Sequence, residues 1–119
     1  MQDFRNLKVW QKAHSLTLDV YRNTRGFPAD EKFGLTNQLR RSCASVPANL
    51  AEGCAREGDS DFARFVNIAA GSASETDYHL LLARDLEYLD GTAYDRLFEQ
   101  VSEVKRMLNS FERTLRGSS

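Results

Sequence analysis

The chain is poor in the residues from which catalytic and metal centres are usually built. Its 119 residues include two histidines and two cysteines. His14 stands alone, and His79 has one acidic companion, Glu75, one helical turn before it. A carboxylate-bridged metal site in a helical bundle needs Glu-x-x-His from each of two helices, so no metal and no cofactor is expected. Cys43 and Cys54 would stand about 16 Å apart along one helix, far beyond disulfide reach, and both read as small reduced core residues. There is no Gly-x-Ser-x-Gly elbow and neither cysteine has a base beside it. Gly71 falls in mid-helix rather than at the strand-to-helix turn that a phosphate loop needs. No catalytic residue is expected, and the chain reads as a non-enzyme.

Other absences narrow the architecture. No strand-like alternation and no internal repeat is visible. No run approaches the ~18 apolar residues of a membrane span, and Met1-Gln2-Asp3-Phe4-Arg5 has no apolar signal core. A cytoplasmic location without membrane contact is the expectation. Lys and Arg total 16 against 17 Asp and Glu, a formal net charge of −1. No global field therefore draws the chain onto a polyanion, and such binding would need a local patch.

What the chain does carry is helix. Four are expected, over about 7–25, 31–57, 60–89 and 92–115, in one domain spanning 1–119. The fold class is all-α, an up-and-down antiparallel four-helix bundle. Gly26, with Phe27 placed for a Schellman contact and Pro28 blocking continuation, should end the first helix. Gly58 should end the second and Asp90-Gly91 the third, while Thr92 should cap the fourth. Pro47 falls inside the second helix, where it removes a hydrogen bond. The apolar stripe keeps its phase from Cys43 through Val46 to Leu50, which favours one kinked helix over a break and restart.

The number of apolar faces bears on assembly. The fourth helix shows a single seam, Leu97, Val101, Val104, Leu108, Phe111 and Leu115, at alternating steps of four and three. The first shows two: Val9, Ala13, Leu16 and Val20 on one side, and Leu7, Trp10, Leu18 and Tyr21 about 130° round. The third likewise sets Ile68, Leu82, Leu86 and Leu89 apart from its core-facing residues. A four-helix monomer has room for one stripe per helix, so the surplus calls for a second subunit; a wide buried arc within one subunit is the alternative. Trp10, Tyr21, Leu82 and Leu86, which lie off the core stripes, are the interface candidates.

The second helix carries two seams. Beside Leu35, Leu39, Cys43, Val46, Leu50 and Cys54 runs a polar stripe, Gln38, Arg41, Ser45, Asn49, Glu52 and Arg56. These groups should pair on packing, with Arg41 or Arg56 neutralising Glu52; acid–base work by Glu52 is the other reading. Ala44, Ser45, Ala48 and Ala51, with Ala69 to Ser74 in the third helix, would let two backbones approach closely. Lys8, Lys12, Arg22 and Arg40 are the candidate nucleic-acid contacts, with Arg40 expected on the solvent side. Each alone is an ordinary surface charge, but repeated around a ring they would form a positive surface for a phosphate backbone.

Phe4 to Ala13, Phe33-Gly34-Leu35 with Gln38 to Ser42, Val46 to Gly53 and Gly71 to Glu75 together resemble the four-helix-bundle proteins encoded by 23S rRNA intervening sequences. The match runs in order and spacing from about Phe4 to Leu89. The resemblance implies an up-and-down bundle, a homopentamer and no established enzymatic activity. The chain is also similar to the accessory variability determinant of diversity-generating retroelements, a basic pentamer that binds a reverse transcriptase and nucleic acid, from which it departs in being slightly acidic. Its expected partners are further copies of itself, with RNA, DNA or a nucleic-acid enzyme beyond them. The expectation is an oligomeric binding or scaffold protein, the alternative being an interaction module without nucleic-acid contact.

Overall fold

In the computed structural model, which describes residues 2–117, the Asp3 carboxylate accepts the Arg5 amide at 3.0 Å and opens a single 3-10 turn, Phe4–Asn6. Helix α1 follows over Lys8–Thr24 and buries Val9, Ala13, Leu16 and Val20. Its end differs from the expected Schellman cap, because Gly26 does not take a positive φ. The Phe27 amide instead closes a tight turn onto the Thr24 carbonyl at 3.1 Å, and Phe27 is buried against Tyr88.

Helix α2 spans Leu35–Cys54, shorter at both ends than the 31–57 expected. Glu31 belongs to a separate 3-10 turn, Ala29–Glu31, and its carboxylate accepts the Leu35 amide at 3.0 Å and the Tyr88 hydroxyl at 2.8 Å. From outside the helix, that carboxylate serves one of the amides that the first turn of α2 leaves without a partner. A Cβ on Gly34 would stand 2.5 Å from that carboxylate oxygen, so the cap requires glycine there. At the other end, Ala55 and Arg56 bond back only three residues, to Glu52 and Gly53, which tightens the last turn and stops the helix.

Pro47 is buried within α2, which continues through it without a break. The missing amide would have bonded the Cys43 carbonyl. The Thr17 hydroxyl of α1 lies 3.5 Å from that oxygen and 2.8 Å from the Ala13 carbonyl, so its one proton can serve either.

Gly58, at φ 84°, turns the chain into α3, Asp59–Asp85, whose first turn carries Asp59 and Asp61 at the positive end of the helix dipole. A Schellman geometry does occur, at the end of α3: Tyr88 bonds the Ala83 carbonyl, Glu87 bonds that of Arg84, and Glu87 sits at φ 65°. The helix therefore stops well before Asp90-Gly91, and Leu89, expected on a second face, drops into the core at 6% exposure. Asp90 rather than Thr92 caps α4, Gly91–Gly117, by accepting the Ala93 amide at 2.8 Å.

The described residues are 84% helical, with no strand among them. Each helix packs on its chain neighbours and α4 closes against α1. α1 and α3 occupy opposite corners, and their backbones do not approach one another. Leu16, Leu39, Leu50, Leu80, Leu97 and Leu108 fill the centre.

Candidate functional site

Polar chemistry concentrates between α2 and α3, and takes in only part of the polar stripe. Gln38, Arg41, Glu52 and Arg56 are exposed, while Ser45 and Asn49 are half-buried. Asn49 Nδ2 donates to the Ser45 carbonyl and hydroxyl at 2.8 and 2.9 Å, and Ser72 Oγ reaches Ser45 Oγ at 2.9 Å. Below them lies a buried chain in which Thr76 Oγ1 stands 3.0 Å from Ser42 Oγ, itself 3.2 Å from His79 Nδ1. Every buried side-chain nitrogen or oxygen among the described residues has a partner. Ser42 and Thr76 were legible as polar residues in core phase, after Leu35 and Leu39 on α2 and after Ala69 and Ala73 on α3; sequence reasoning passed over both.

Ser42, His79 and Glu75 stand in the order of a nucleophile, base and acid, the His79 Nε2 being 3.8 Å from Glu75. The chemistry does not follow from the order. Ser42 is 6% exposed, and mid-helix amides are already bonded, so no oxyanion would find free N–H donors. Burial holds the His79 imidazole below its usual 6.5 against the opposing pull of Glu75, which favours the neutral ring as a hydrogen-bond partner. Above this chain a cleft of about 340 Å³ opens, with Gln38 and Arg41 on one wall and Glu75 on the other. Arg41 makes no ion pair among the described residues, and Glu52 pairs instead with Arg56 at 2.7 Å in the open.

The candidate nucleic-acid cations do not form one patch. Lys12 pairs with Glu103 at 3.5 Å and Arg22 with Asp19 at 3.1 Å. Arg40 is not on the solvent side as expected: its Nε donates to Thr24 Oγ1 at 2.8 Å, a second nitrogen reaches the Tyr21 carbonyl, and the guanidinium covers the Tyr21 ring. It acts as a tie on the C-terminal turn of α1, where free carbonyls attract a cation. Lys8 alone of the four has neither an ion pair nor a side-chain hydrogen bond among the described residues, beside a shallow apolar cleft formed by Leu7, Val9, Met107 and Phe111.

The interface candidates fall on two corners. Trp10 is half-buried, 4.9 Å from the His14 ring in a stacked arrangement, and Tyr21 is 41% exposed under Arg40. On α3, Leu82 is half-buried, Leu86 just past its end is 45% exposed, and Tyr78 and, nearer the start of the helix, Ile68 are also exposed. Phe33, beside the Glu31 cap, is 86% exposed, and nothing in the periodicity of the helices flagged it.

No group of three or more histidine, cysteine or acidic side chains gathers to hold a metal among the described residues, and no helix is long and apolar enough to cross a membrane. Burial raises the Cys43 thiol to about 11 and also raises that of Cys54, so both stay protonated and unreactive. Fold and site together define an all-α four-helix bundle with a buried polar chain between α2 and α3 and several exposed apolar side chains. The chain belongs to the 23S rRNA-intervening sequence protein family, whose profile matches residues 5–110. A solved structure from Bacteroides thetaiotaomicron, a protein of unknown function from the S23 ribosomal protein family, is similar at 26% identity and a TM-score of 0.79. The match covers 88% of this chain and 98% of that one. No curated protein matches significantly.

Proposed function

We propose that the chain is a non-enzymatic scaffold that works as a homo-oligomer, pentameric if it assembles as the family resemblance implies, and that its surfaces serve protein–protein contact. The observation that carries this reading is the exposure of Leu18, Tyr21, Phe33, Ile68, Tyr78, Leu86 and Phe98, each at 41% or more. Apolar surface in that quantity on a small bundle favours burial against another protein. The engagement of Lys12, Arg22 and Arg40 within the subunit supports contact with proteins over direct contact with phosphate. Light scattering on the purified protein should give a multiple of 13.5 kDa. A monomer at micromolar concentration would refute the proposal.

A nucleic-acid role is the second reading, favoured by Lys8 and Arg25, which make no ion pair among the described residues and would recur around an assembly. Association with RNA or DNA should then weaken steeply with salt, because phosphate contacts release counterions. A binding constant nearly independent of salt would leave the protein partner alone.

A further inference from the structure

Charge is distributed unevenly over the two opposite corners of the bundle. α1 carries Lys8, Lys12 and Arg22 against one acid, Asp19, and Arg25 follows directly; with Lys12 paired to Glu103 and Arg22 to Asp19, Lys8 and Arg25 are the cations this corner has left for a partner. α3 carries five acids against Arg64 and Arg84; Asp61, Asp77 and Asp85 pair with Arg64, Lys105 and Arg84, while Glu75 and, two residues beyond the helix, Glu87 make no ion pair with a lysine or arginine among the described residues. Each corner also bears exposed apolar side chains: Leu18 and Tyr21 on α1, Tyr78 and Leu86 on α3. One corner is therefore apolar with a basic surround, and the other apolar with an acidic one.

We propose that the α1 corner of one subunit docks against the α3 corner of a second copy, in a head-to-tail contact. The proposal rests on the homo-oligomer reading above and names its surfaces. Two different patches on opposite corners cannot form a self-complementary dimer contact, whereas repeated rotation brings each α1 corner to the next α3 corner. Opposite charge selects this pairing, since α1 against α1 or α3 against α3 would juxtapose like charges.

The fold also sets the register. Phe27, three residues beyond α1, packs on Tyr88, three residues beyond α3, with ring centroids 5.3 Å apart, so the two helices end level. In an up-and-down bundle α1 and α3 run the same way with the same rise per residue. Copies related by rotation about an axis parallel to the helices keep that level. Tyr21 then meets Leu82 of the next copy, and His14 meets Glu75. Arg25 falls beside Leu86 and Glu87. Trp10 comes level with Gly71, where a Cβ would have nothing within 4 Å and the surface is open to receive a ring.

Cysteine cross-linking tests the contact, because Cys43 and Cys54 are buried and do not compete. A chain carrying both Tyr21→Cys and Leu82→Cys should give, under mild oxidation with copper phenanthroline, a ladder of covalent multimers. Each single-cysteine variant should give none. Covalent dimers from either single variant would show like corners meeting and overturn the proposal. Charge reversal gives an independent readout: Arg25→Glu or Glu87→Lys alone should raise the dissociation constant of assembly about tenfold or more, and the two together in one chain should restore it. Parent-like assembly in both single variants, with circular dichroism unchanged, would overturn the corner-to-corner contact while leaving the homo-oligomer standing. A monomeric parent protein would remove both.

Discussion

Gly53→Ala should destabilise the protein although it replaces the poorer helix former with the best one. In an open helix the exchange gains up to ~1 kcal/mol, less here because Gly53 lies in the last turn of α2. Against this stands the packing. A Cβ on Gly53 would lie 2.7 and 3.0 Å from two ring carbons of Phe62 and 3.1 Å from Phe65 Cβ. Carbon atoms rest at about 3.5–4.0 Å, so the neighbours must retreat by most of an ångström. Phe65 Cβ is fixed to the α3 backbone and cannot do so alone. Phe62 is 7% exposed and meets Phe111 edge-on at 5.2 Å, a contact that any swing of the ring gives up. Overpacking of this kind costs ~1–3 kcal/mol, and the net expectation is a loss of about 2 kcal/mol. For a chain of this length that lowers Tm by roughly 8 °C.

Thermal and urea unfolding of Gly53→Ala would be compared with Gly71→Ala. Gly71 is also inside a helix but meets nothing of its own subunit within 4 Å, so its replacement should stabilise the subunit fold by about 0.5–1 kcal/mol. The same substitution thus takes opposite signs at two glycines. If Gly53→Ala melted at or above the parent temperature, the close approach of α2 and α3 would not be what that glycine provides.

Glu52→Ala removes a pair that is half-exposed on both sides, so its cost should be about 0.5 kcal/mol or less in urea titration, not the ~3 kcal/mol of a stranded buried charge. Arg40→Ala should cost about 1–2 kcal/mol through loss of its bonds to Thr24 and Tyr21, while Lys8→Ala should leave the melting curve unchanged; equal behaviour would show that Arg40 is not a structural tie. Because burial lowers the His79 pKa, the folded state takes up that proton less readily than the unfolded chain. The contribution is complete above pH 6.5 and fades as the pH falls through the folded value, so parent stability should decline on that acid limb and His79→Gln should flatten it.

The bundle was legible because its signals are periodic. The single seam of α4 needed no tertiary information, and Leu97, Val101, Val104 and Leu108 are all buried. The helix ends were less so, since each depends on a choice between competing local bonds. Glu31 reads as a helix former until Tyr88, far away in sequence, donates its hydroxyl to the carboxylate. Glu87 holds a left-handed turn that its side chain does not advertise. The polar stripe of α2 follows from helical spacing, yet which of its members reach α3 depends on helix rotation by a fraction of a turn. Gln38 and Arg41 fell outside, Ser45 fell inside, and Ser42, counted with neither stripe, became the centre. Arg40 was misplaced for the same reason, the neighbouring helix being near enough to recruit its guanidinium.

The buried chain of Ser42, Thr76 and His79 asks why polar groups stand where leucines would pack. Each hydroxyl has a fallback on its own helix: Ser42 to the Leu39 carbonyl at 3.2 Å, Thr76 to the Ser72 carbonyl at 2.8 Å. His79 Nδ1 has none and depends on Ser42 across the interface. A slide of α2 along α3 would therefore leave both hydroxyls bonded and strand the imidazole, which makes the histidine the group that penalises a wrong register. Ser42→Ala should then cost about 2 kcal/mol, mostly from the orphaned ring nitrogen. His79→Leu should cost less at the serine end, because Ser42 turns back to Leu39. In the double variant no group is orphaned, so its loss should fall short of the sum of the two by about 1 kcal/mol in denaturant unfolding. If the losses added to within ~0.5 kcal/mol, the two side chains would be independent, and the register of α2 on α3 would rest on apolar packing alone.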